Sequence, residues 1–556
     1  MKRSNNKKRD SANASLLMGM GLIGLGAYWP EIIGSAPDAA EQLYIGAFQA
    51  LGGVATFGGI TGHYQNWRQR QRRKEAEKTS GTFGEARFAT LEDCEEAGLL
   101  DPRGLYLGML DGQPLFMRGK GHLLTVAPAR QGKGINVVLP NLLHFQGSVF
   151  VTDPKGELAA VTAKHRAERL GQKVFFLNPF GLHGLPQHRY NPLQALFDAA
   201  NDPARCREAP DLAKAMALDL LPEPEDSRNR YFREGARKIM HDLMLHLATL
   251  GDPALCTLPE LWRLISNPRK IMRAAQDMQK SDALFGMVSD LGYDLAAQIE
   301  DNADQFADFR QGAMQVIDIY NPIGFLGECV SGSDFDPSKF NKEGTSLYAM
   351  LPQSKVESHG EWLGNVANQF IKDVCSSPGD KEALFLLDEF ANMGKMNGLA
   401  ENLTALPGYR VRLWPFVQEL SELVRIYGPN TTRTVMSQAE VKQFFAIQDD
   451  GLAQSLSAAL GQRTVKTRNY SLGQSENDEV GESLSETGRP LMAPDEIRLM
   501  KADEQLLFVK SLPPIKANRL PFWFVEPWAS WARSNPIEGG YPVEKPLLRL
   551  KYSEKD

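Results

Sequence analysis

The 556-residue sequence predicts an α/β fold, and two segments far apart in the chain carry that prediction. Residues 121–157 read as an apolar strand, a loop with a Gly-Lys-Gly triplet around Lys133, an apolar helix and a second strand. Residues 383–389 consist of five apolar residues followed by Asp388 and Glu389. A phosphate loop and a buried parallel strand that ends in carboxylates have this layout, and both occur in α/β sheets.

The first segment predicts a phosphate loop because the Lys133 triplet lies between a strand, Leu123 to Val126, and a helix, Ile135 to Leu143. Backbone N–H groups of such a loop wrap phosphates, and the lysine ammonium reaches the outer ones. The general pattern G-x-x-x-x-G-K-S/T is incomplete here, since Ala127 replaces its first glycine and Gly134 replaces its Ser or Thr. A bare Gly-Lys-Gly triplet is also common in ordinary turns, so this prediction depends on a partner elsewhere in the chain.

That partner is the strand Ala383–Leu387 with the two carboxylates that follow it. Open α/β sheets bind ligands at the carboxyl ends of their strands. We expect Asp388 to hold Mg²⁺, directly or through water, and Glu389 to orient and polarise the attacking water. The alternative is a core strand with two solvated end charges, which the presence of both motifs in the expected order disfavours.

A third strand, Val411 to Phe416, leads into Gln418. A glutamine at the end of a neighbouring strand can sense the γ-phosphate by contacting the same water. Taken alone, a turn glutamine is the simpler interpretation. Pro415 also makes the strand atypical, because proline lacks the N–H that a ladder requires.

The length predicts two or three domains. Hydrophobic residues make up 42% and charged residues 23%, both ordinary for globular proteins. The five cysteines are scattered without a C-x-x-C pair, which argues against disulfides and zinc and favours a reducing compartment.

The N-terminal region, residues 1–78, differs from the rest because residues 11–30 and 42–67 contain no Asp, Glu, Lys or Arg. We expect two transmembrane helices, at about 12–30 and 43–64. Basic residues precede the first and follow the second, while the connection between them is acidic, so the positive-inside rule places both termini in the cytoplasm. The alternatives are a signal peptide or, for the second segment, a buried soluble helix.

Charge is unevenly distributed, with a net charge of +5 on residues 1–78 and −6 on the whole chain. The remaining body is therefore acidic and lacks the broad basic surface of a sequence-reading DNA-binding protein. A basic lining confined to a central pore stays open.

Residues 79–556 are predicted to contain regions of strands and a region of helices. Residues 79–120 predict short strands and turns, and residues 464–489 a polar loop or hairpin. Residues 196–320 predict a helical insertion, because apolar residues recur there at helical spacing. Further predicted helices are Tyr231–Leu250, Leu258–Leu264, Pro268–Met278, Ala303–Ile319 and Glu361–Cys375; further core strands are Ser148–Thr152, Val174–Leu177, Thr345–Leu351 and Gln505–Lys510.

These motifs closely resemble one family, the type IV secretion coupling proteins, which are the TraG/TraD-like ATPases of conjugation and effector export. The matching stretches are PARQGKGINVVLPNLL, VTDPKGE, FLNPF followed by YNPL, ALFLLDEFANMG, VQELSELVRIYG and LMAPDEIRLMKADEQLLFVKSLPPI. The resemblance runs over nearly the whole chain.

The resemblance implies a homo-hexamer anchored in the bacterial inner membrane as a multi-pass protein. It implies a RecA-like P-loop nucleotide-binding domain, which we place at residues 79–195 and 321–556, and an all-α substrate-docking domain, which we place at 196–320. Residues 1–78 would form the membrane anchor. ATP and Mg²⁺ would be bound, and substrates would pass to the components of a type IV secretion channel.

Residue roles follow from the same resemblance. Lys133 would bind the β- and γ-phosphates, Asp388 would serve Mg²⁺, Glu389 the water, and Gln418 the sensing of the γ-phosphate. The remaining loop positions expected at the nucleotide are Ala129, Arg130, Gln131, Gly132, Gly134 and Ile135. Asp153 and Lys155 are expected beside them, and Arg410, Arg412 and Arg433 are candidates for an arginine acting on a neighbouring subunit.

Three functions remain open. The protein is a motor for relaxase-bound single-stranded DNA, the same motor for protein effectors, or a docking receptor or scaffold with weak ATPase activity. Strong salt dependence of single-strand binding would distinguish the first.

Overall fold

The computed structural model of the chain describes residues 13–18, 20–23, 42, 45–47, 49–56, 67–68, 80–223, 229–471, 481–541 and 545–551. The chain divides into two compact units: residues up to Ala86 with Leu460–Leu491, and Arg87–Ala459 with the residues from Met492 onward. Much of each predicted membrane span, about 12–30 and 43–64, lies outside the described residues. Among the residues that are described, no helix is long and apolar enough to cross a bilayer.

The second unit is built on an eleven-stranded sheet. Its strands are β1 (Leu105–Leu110), β2 (Gln113–Met117), β3 (His122–Val126), β4 (Ser148–Asp153), β5 (Lys173–Leu177), β6 (Thr345–Met350), β7 (Ala383–Leu387), β8 (Val411–Val417), β9 (Ala439–Phe444), β12 (Glu504–Val509) and β13 (Ile515–Asn518), with β10 (Gln462–Ser471) and β11 (Gly481–Pro490) outside it. The spatial order is β2-β1-β13-β12-β9-β3-β8-β7-β4-β6-β5.

The strands from β9 to β5 are parallel, and those from β2 to β12 pair antiparallel to their neighbours. All five residues of β7 and all six of β4 are buried. Parallel strands that are covered on both faces have continuous apolar runs, and for this reason the sequence alone predicts these two strands. The mixed α/β architecture with a large parallel sheet is confirmed.

Strand β8 lies in the middle of the sheet although it contains Pro415, which pairs with Leu387 of β7. On its other side, the ladder between β8 and β3 begins only at Phe416. Before that point the N–H of Leu413 donates to Nδ1 of His122 at 2.9 Å. A side chain thus replaces a ladder bond, and the proline is tolerated where the ladder to β3 has not begun.

Helices cover the sheet and fill the long connection between β5 and β6. In chain order they are α1 (Leu91–Glu96), α2 (Leu139–His144), α3 (Glu157–Glu168), α4 (Gln194–Asn201), α5 (Ala209–Leu220), α6 (Arg230–Ala248), α7 (Leu258–Ile265), α8 (Pro268–Met278), α9 (Met287–Asp301), α10 (Ala303–Ile317), α11 (Phe325–Cys329), α12 (Phe340–Glu343), α13 (Val356–Ser376), α14 (Leu399–Ala405), α15 (Leu420–Gln438), α16 (Asp450–Leu460), α17 (Pro494–Arg498) and α18 (Trp528–Trp531). Two short strands, β14 (Val525–Glu526) and β15 (Leu548–Arg549), pair near the end.

The predicted helices of the 196–320 segment are present, and α6 packs against α10. Its apolar positions Ile239, Leu243 and Leu247 are buried, as the helical spacing predicts. The two helices approach closely at Gly235, where an added Cβ would lie 2.4 Å from the ring of Phe309. The division of the chain into an anchor, a nucleotide-binding domain and a substrate-docking domain stays a prediction.

The first unit contains the hairpin formed by β10 and β11, which confirms a hairpin within the polar segment 464–489. The N–H of Thr464 donates to the carbonyl of Gly84, and the N–H of Ala86 donates to the carbonyl of Gln462. Residues 84–86 therefore align along the edge of the hairpin.

Candidate functional site

The site lies where four neighbouring strands of the sheet end. In the order β3, β8, β7 and β4, their carboxyl ends lead to the loop of Lys133, to Gln418, to Asp388 with Glu389, and to Asp153. Parallel strands end at one edge of a sheet, so residues from four distant segments share this edge. The edge is the position at which open α/β sheets bind ligands.

The loop between β3 and its helix is tied to β8 at its start, because the N–H of Ala127 donates to the carbonyl of Val417 at 2.9 Å. Two of its residues have left-handed backbone, Arg130 at φ +60° and Gly132 at φ +78°. Both the N–H and Nδ2 of Asn136 donate to the carbonyl of Gly132, and an added Cβ on that glycine would lie 2.4 Å from Nδ2. Gly132 is therefore required for this loop shape.

The helix after the loop starts differently from the prediction. Instead of an α-helix from Ile135, the chain forms a π-helix at Gly134–Val138 and then the α-helix α2. Pro140 explains the change, because it has no N–H to donate to the carbonyl of Asn136. The N–H of Leu139 instead reaches back to the carbonyl of Gly134. Such π-turns occur frequently at functional sites.

Lys133 is a buried cation that makes no hydrogen bond to any residue the structure describes. Its side chain is 9% exposed, and its Nζ has no hydrogen-bond partner among the described residues. The closest carboxylate oxygen is Oε1 of Glu389, 3.8 Å away. A buried ammonium that lacks partners is costly, so this position favours an anion that would bond to it. Phosphate oxygens fit this requirement.

Asp388 is partly buried at the end of β7, and hydrogen bonds hold both its side chain and its main chain. Its Oδ1 accepts the N–H of Glu389 at 3.0 Å, and its main-chain carbonyl accepts the hydroxyl of Thr152 at 2.9 Å. Burial raises the pKa of Asp388 to about 6, the charge of Glu389 adds to this effect, and the ammonium of Lys133 opposes it. The carboxylate is rigid and lies close to the phosphate-loop lysine.

Asp388 fits a role in binding Mg²⁺. Within the described ranges, no group of three His, Cys, Asp or Glu side chains could enclose a metal ion. Mg²⁺ is usually bound through one or two carboxylates together with substrate phosphates and waters, so a single carboxylate is a sufficient protein contribution. The sequence offers no hydroxyl at Gly134, where an added Cβ would meet nothing within 4 Å.

Glu389 and Gln418 are in direct contact. Nε2 of Gln418 donates to Oε2 of Glu389 at 3.0 Å, while the other carboxylate oxygen faces Lys133. Glu389 has left-handed backbone, at φ +52°, which is unfavourable for a residue with a side chain and is found mostly at functional sites. The three predicted catalytic residues, Lys133, Glu389 and Gln418, therefore form one connected group.

Asp153 and Lys155, at the end of β4, have different environments. Asp153 is buried, and its Oδ2 accepts the N–H of Ala159 in the first turn of α3 at 2.8 Å. Burial raises the pKa of Asp153 to about 7, and the charges of Glu157 and Asp388 add to the increase. Lys155 is exposed and lies 3.8 Å from Glu157. Asp153 thus anchors a helix start beside the site.

The other predicted residues lie at the margin or elsewhere. Ala129, Arg130 and Gln131 form the exposed part of the loop. Arg410 donates to the carbonyl of Asp380, and the buried Arg412 donates to Glu382 at 2.7 Å, both at the amino end of β8. Arg433 is exposed on α15. A role for one of these arginines in a neighbouring subunit stays a prediction.

Three residues that contact the site were not predicted from the sequence: Asn136, Thr152 and Arg519. Asn136 holds Gly132, and Thr152 holds the carbonyl of Asp388. Nη1 of Arg519 donates to the carbonyl of Gln131 at 2.5 Å, across 388 positions of sequence. Asn136 is part of the loop segment, so a local sequence pattern could have identified it. The contact between Arg519 and Gln131 leaves no such pattern, because the two residues are far apart in the chain.

Comparison with known proteins identifies the family. Residues 72–536 match the family described as type IV secretory system conjugative DNA transfer. The VirD4 protein of Agrobacterium fabrum is 26% identical over 466 residues, covering 79% of this chain and 66% of VirD4. The conjugal transfer protein TraG of Escherichia coli is 25% identical over 508 residues, covering 80% of this chain and 77% of TraG. The chain thus spans slightly less than two thirds of VirD4.

Solved structures agree on the fold. The plasmid coupling protein TrwB, in complex with the non-hydrolysable ATP analogue ADPNP, superposes with a TM-score of 0.58 at 14% identity, covering 78% of this chain and 93% of TrwB. TrwB in complex with ADP and Mg²⁺ gives a TM-score of 0.56, covering 80% of this chain and 96% of TrwB.

Proposed function

The chain belongs to the type IV secretory system conjugative DNA transfer family, and on that premise we propose that it is a coupling ATPase. It recruits substrates and delivers them to a type IV secretion channel, using ATP binding and hydrolysis at the edge of the sheet formed by β3, β8, β7 and β4. Two similar proteins support this function: one is named type IV secretion system-coupling protein VirD4, of Bartonella henselae, and the other conjugal transfer protein TraG, of Escherichia coli.

The buried ammonium of Lys133 carries the proposal. It lies at the start of a helix, after a loop with two left-handed residues, and it lacks a hydrogen-bond partner within the described part of the chain. A folded protein tolerates such a group where a ligand compensates it. The β- and γ-phosphates of ATP supply the oxygens that fit this position, and TrwB binds ADP and an ATP analogue in complexes of the same fold.

Each residue of the site has a defined role. Asp388 would hold Mg²⁺, which neutralises charge on the phosphates when it is bound. Glu389 accepts a hydrogen bond from water and directs its oxygen to the γ-phosphate. Gln418 holds the Glu389 carboxylate through the 3.0 Å hydrogen bond and would contact the same water. Lys133 compensates the charge on the outer phosphates.

The assembly and location belong to the same proposal. We infer a homo-hexamer in the bacterial inner membrane, with two transmembrane helices in residues 1–78 and both termini in the cytoplasm. The uncharged segments and their basic flanks in the sequence support the membrane anchor. The substrates are relaxase–DNA complexes or protein effectors, and the acidic body slightly favours protein.

A second function is supported by the loop itself. Because Gly134 stands where most phosphate loops carry Ser or Thr, a weak ATPase that acts mainly as a docking receptor for effectors is the alternative. The two functions differ in the ATP turnover that they predict. A coupling ATPase hydrolyses ATP at a rate that depends on Glu389, whereas a docking receptor hydrolyses little or none.

Steady-state ATP turnover by the full chain in mild detergent tests the proposal, beside Glu389→Gln and Gln418→Ala. We expect Glu389→Gln to lower turnover about 10²- to 10³-fold while ATP stays bound, because the group that polarises water is lost. Gln418→Ala should have a smaller effect, about tenfold. Single-stranded DNA at two salt concentrations distinguishes the substrates, since stimulation that disappears at high salt indicates a DNA motor.

ATP turnover that depends on Glu389 but does not change when single-stranded DNA is added would favour protein substrates. Wild-type turnover in Glu389→Gln would contradict the proposed catalytic site. ATP binding without any turnover would favour the receptor.

A further inference from the structure

Arg519 follows strand β13 and contacts the phosphate loop although its own segment has no other role in the site. Its side chain is buried, with 5% of the residue exposed. Nη1 donates to the carbonyl of Gln131 at 2.5 Å, and Nη2 donates to the carbonyl of Ala502. The guanidinium lies 3.9 Å from the ring centroid of Phe445, just past the end of β9, and this contact fixes its plane.

The contact constrains one peptide plane of the loop. In a trans peptide the carbonyl and the following N–H point in opposite directions. When Arg519 holds the carbonyl of Gln131, the N–H of Gly132 is directed away from Arg519. The next carbonyl, that of Gly132, is held by Asn136 through two hydrogen bonds. Two consecutive carbonyls of the loop are therefore fixed, one by Arg519 and one by Asn136.

The bonding of Arg519 is incomplete, and its charge is retained. Its Nε is buried and has no hydrogen-bond partner in the described part of the chain. Burial lowers the pKa of Arg519 to about 10, so it remains a cation at neutral pH. A positive charge bonded to the outside of a phosphate loop also adds to the attraction that the loop exerts on an anion.

We propose that Arg519 is a positioning residue for the nucleotide, which fixes the Gln131–Gly132 peptide so that the Gly132 N–H is presented to phosphate. This inference rests on the proposed ATPase function and extends it to a segment 388 positions away from the loop. Fixing a binding group in its productive orientation raises affinity because less conformational freedom is lost on binding.

The experiment compares Arg519→Gln and Arg519→Lys in the full chain, with Arg237→Gln as a matched control. Arg237 is a buried arginine of α6, where it bonds to the carbonyl of Leu221 and to Glu223. The dissociation constant for N-methylanthraniloyl-ADP is measured by fluorescence. Hydrogen exchange of residues 127–138 is measured without nucleotide, and the thermal midpoint is recorded for each variant.

We expect Arg519→Gln to weaken nucleotide affinity about tenfold and to accelerate exchange in the loop, since one charge-assisted hydrogen bond is lost. Arg519→Lys should recover much of the affinity. Arg237→Gln should lower the thermal midpoint without changing nucleotide affinity or hydrogen exchange in the loop.

Wild-type affinity in Arg519→Gln, beside lost affinity in Lys133→Ala, would overturn the role of Arg519 and leave the proposed function intact. Equal affinity losses in Arg519→Gln and Arg237→Gln would also overturn it, because the effect would then reflect stability alone. A wild-type chain that binds no N-methylanthraniloyl-ADP would instead contradict the proposed function itself.

Discussion

Two buried cations, at opposite ends of the strands of the same sheet, differ in how many hydrogen bonds they make. Arg166, on α3 near the amino ends of β4 and β6, is fully buried and uses its whole guanidinium. It donates to the side chains of Ser346 and Gln172 and to the carbonyls of Leu142, Phe145 and Gly147. Lys133, at the carboxyl end of β3, makes no hydrogen bond that the described residues show.

The difference teaches how to distinguish a structural charge from a functional one. A buried charge with every donor satisfied stabilises the fold around it, and burial lowers its pKa only to about 10, so Arg166 stays protonated. A buried charge such as Lys133, which faces a carboxylate at 3.8 Å but makes no hydrogen bond to the described residues, has donors left for a ligand. A structural and a functional buried charge are therefore distinguished by their surroundings and not by their residue type.

The largest expected effect is that of Lys133→Ala. Turnover should fall by about 10³-fold, because the cation that compensates the outer phosphates is removed. The thermal midpoint of the protein without nucleotide should change little, since Lys133 makes no hydrogen bond to the described residues and its carboxylate partner, Glu389, is 3.8 Å away and partly exposed. A lower thermal midpoint would show that Lys133 supports the fold and would break the comparison.

Arg166→Met should have the reverse pattern. The substitution leaves three carbonyls and two side chains without their donor, and we expect a loss of about 3–5 kcal/mol of unfolding free energy. The thermal midpoint should fall by roughly 5–10 °C. Nucleotide affinity of the protein that remains folded should be unchanged, as measured with N-methylanthraniloyl-ADP. An affinity loss at unchanged stability would assign Arg166 to the site.

Asp153→Asn tests the buried carboxylate beside the site through pH. The folded-state pKa of about 7 lies above the ordinary value of 3.8, so the folded protein binds the proton more tightly than the unfolded chain. The contribution of Asp153 to stability is complete below pH 4 and is lost as pH rises towards 7. Asparagine cannot ionise and can still accept the N–H of Ala159.

We therefore expect Asp153→Asn to exceed the wild type in stability at pH 8 by on the order of 2 kcal/mol. The advantage should disappear at pH 4. Thermal midpoints of the two proteins at a series of pH values measure the difference. A difference that does not change with pH would show that Asp153 keeps an ordinary pKa in the folded protein.

Gly134→Ser should have the smallest effect. An added Cβ meets nothing within 4 Å at this position, so the side chain fits and supplies the hydroxyl that the loop lacks. We expect affinity for Mg²⁺-ATP to rise about threefold, since one more oxygen can reach the ion. Gly132→Ser is the control, because a Cβ there would lie 2.4 Å from Asn136 and would distort the loop. Unchanged dependence of turnover on Mg²⁺ concentration would show that the hydroxyl does not reach the ion.

Much of the fold was predictable because its signals are local. The apolar runs of β3, β4 and β7 predict buried parallel strands, and helix α8 has the bounds Pro268–Met278 that the sequence predicts. The helix-start signal Asn267-Pro268 is confirmed, because the Asn267 side chain caps the helix by accepting the N–H of Arg269. Helix α13 begins at Val356, five residues before the predicted start at Glu361, because no capping signal marks that end.

The sequence by itself determined the residues of the site one segment at a time: the loop of Lys133, the pair Asp388 and Glu389, and Gln418. Each follows an apolar strand, and a strand of a parallel sheet can be recognised from a few consecutive residues. The order of these strands in the sheet, and therefore the contact between Gln418 and Glu389, is not encoded locally.

Only the tertiary structure decided which charges are compensated. Whether Lys133 lacks a hydrogen bond, Arg166 has all its donors bonded or the pKa of Asp153 is raised depends on groups from several strands and helices, and these meet only when the sheet is assembled. The bond from Arg519 to Gln131 is the extreme case, since it joins the residue after strand β13 to a loop 388 positions earlier in the chain. Periodicity and spacing report local structure, whereas burial and pairing of charges are properties of the whole packed molecule.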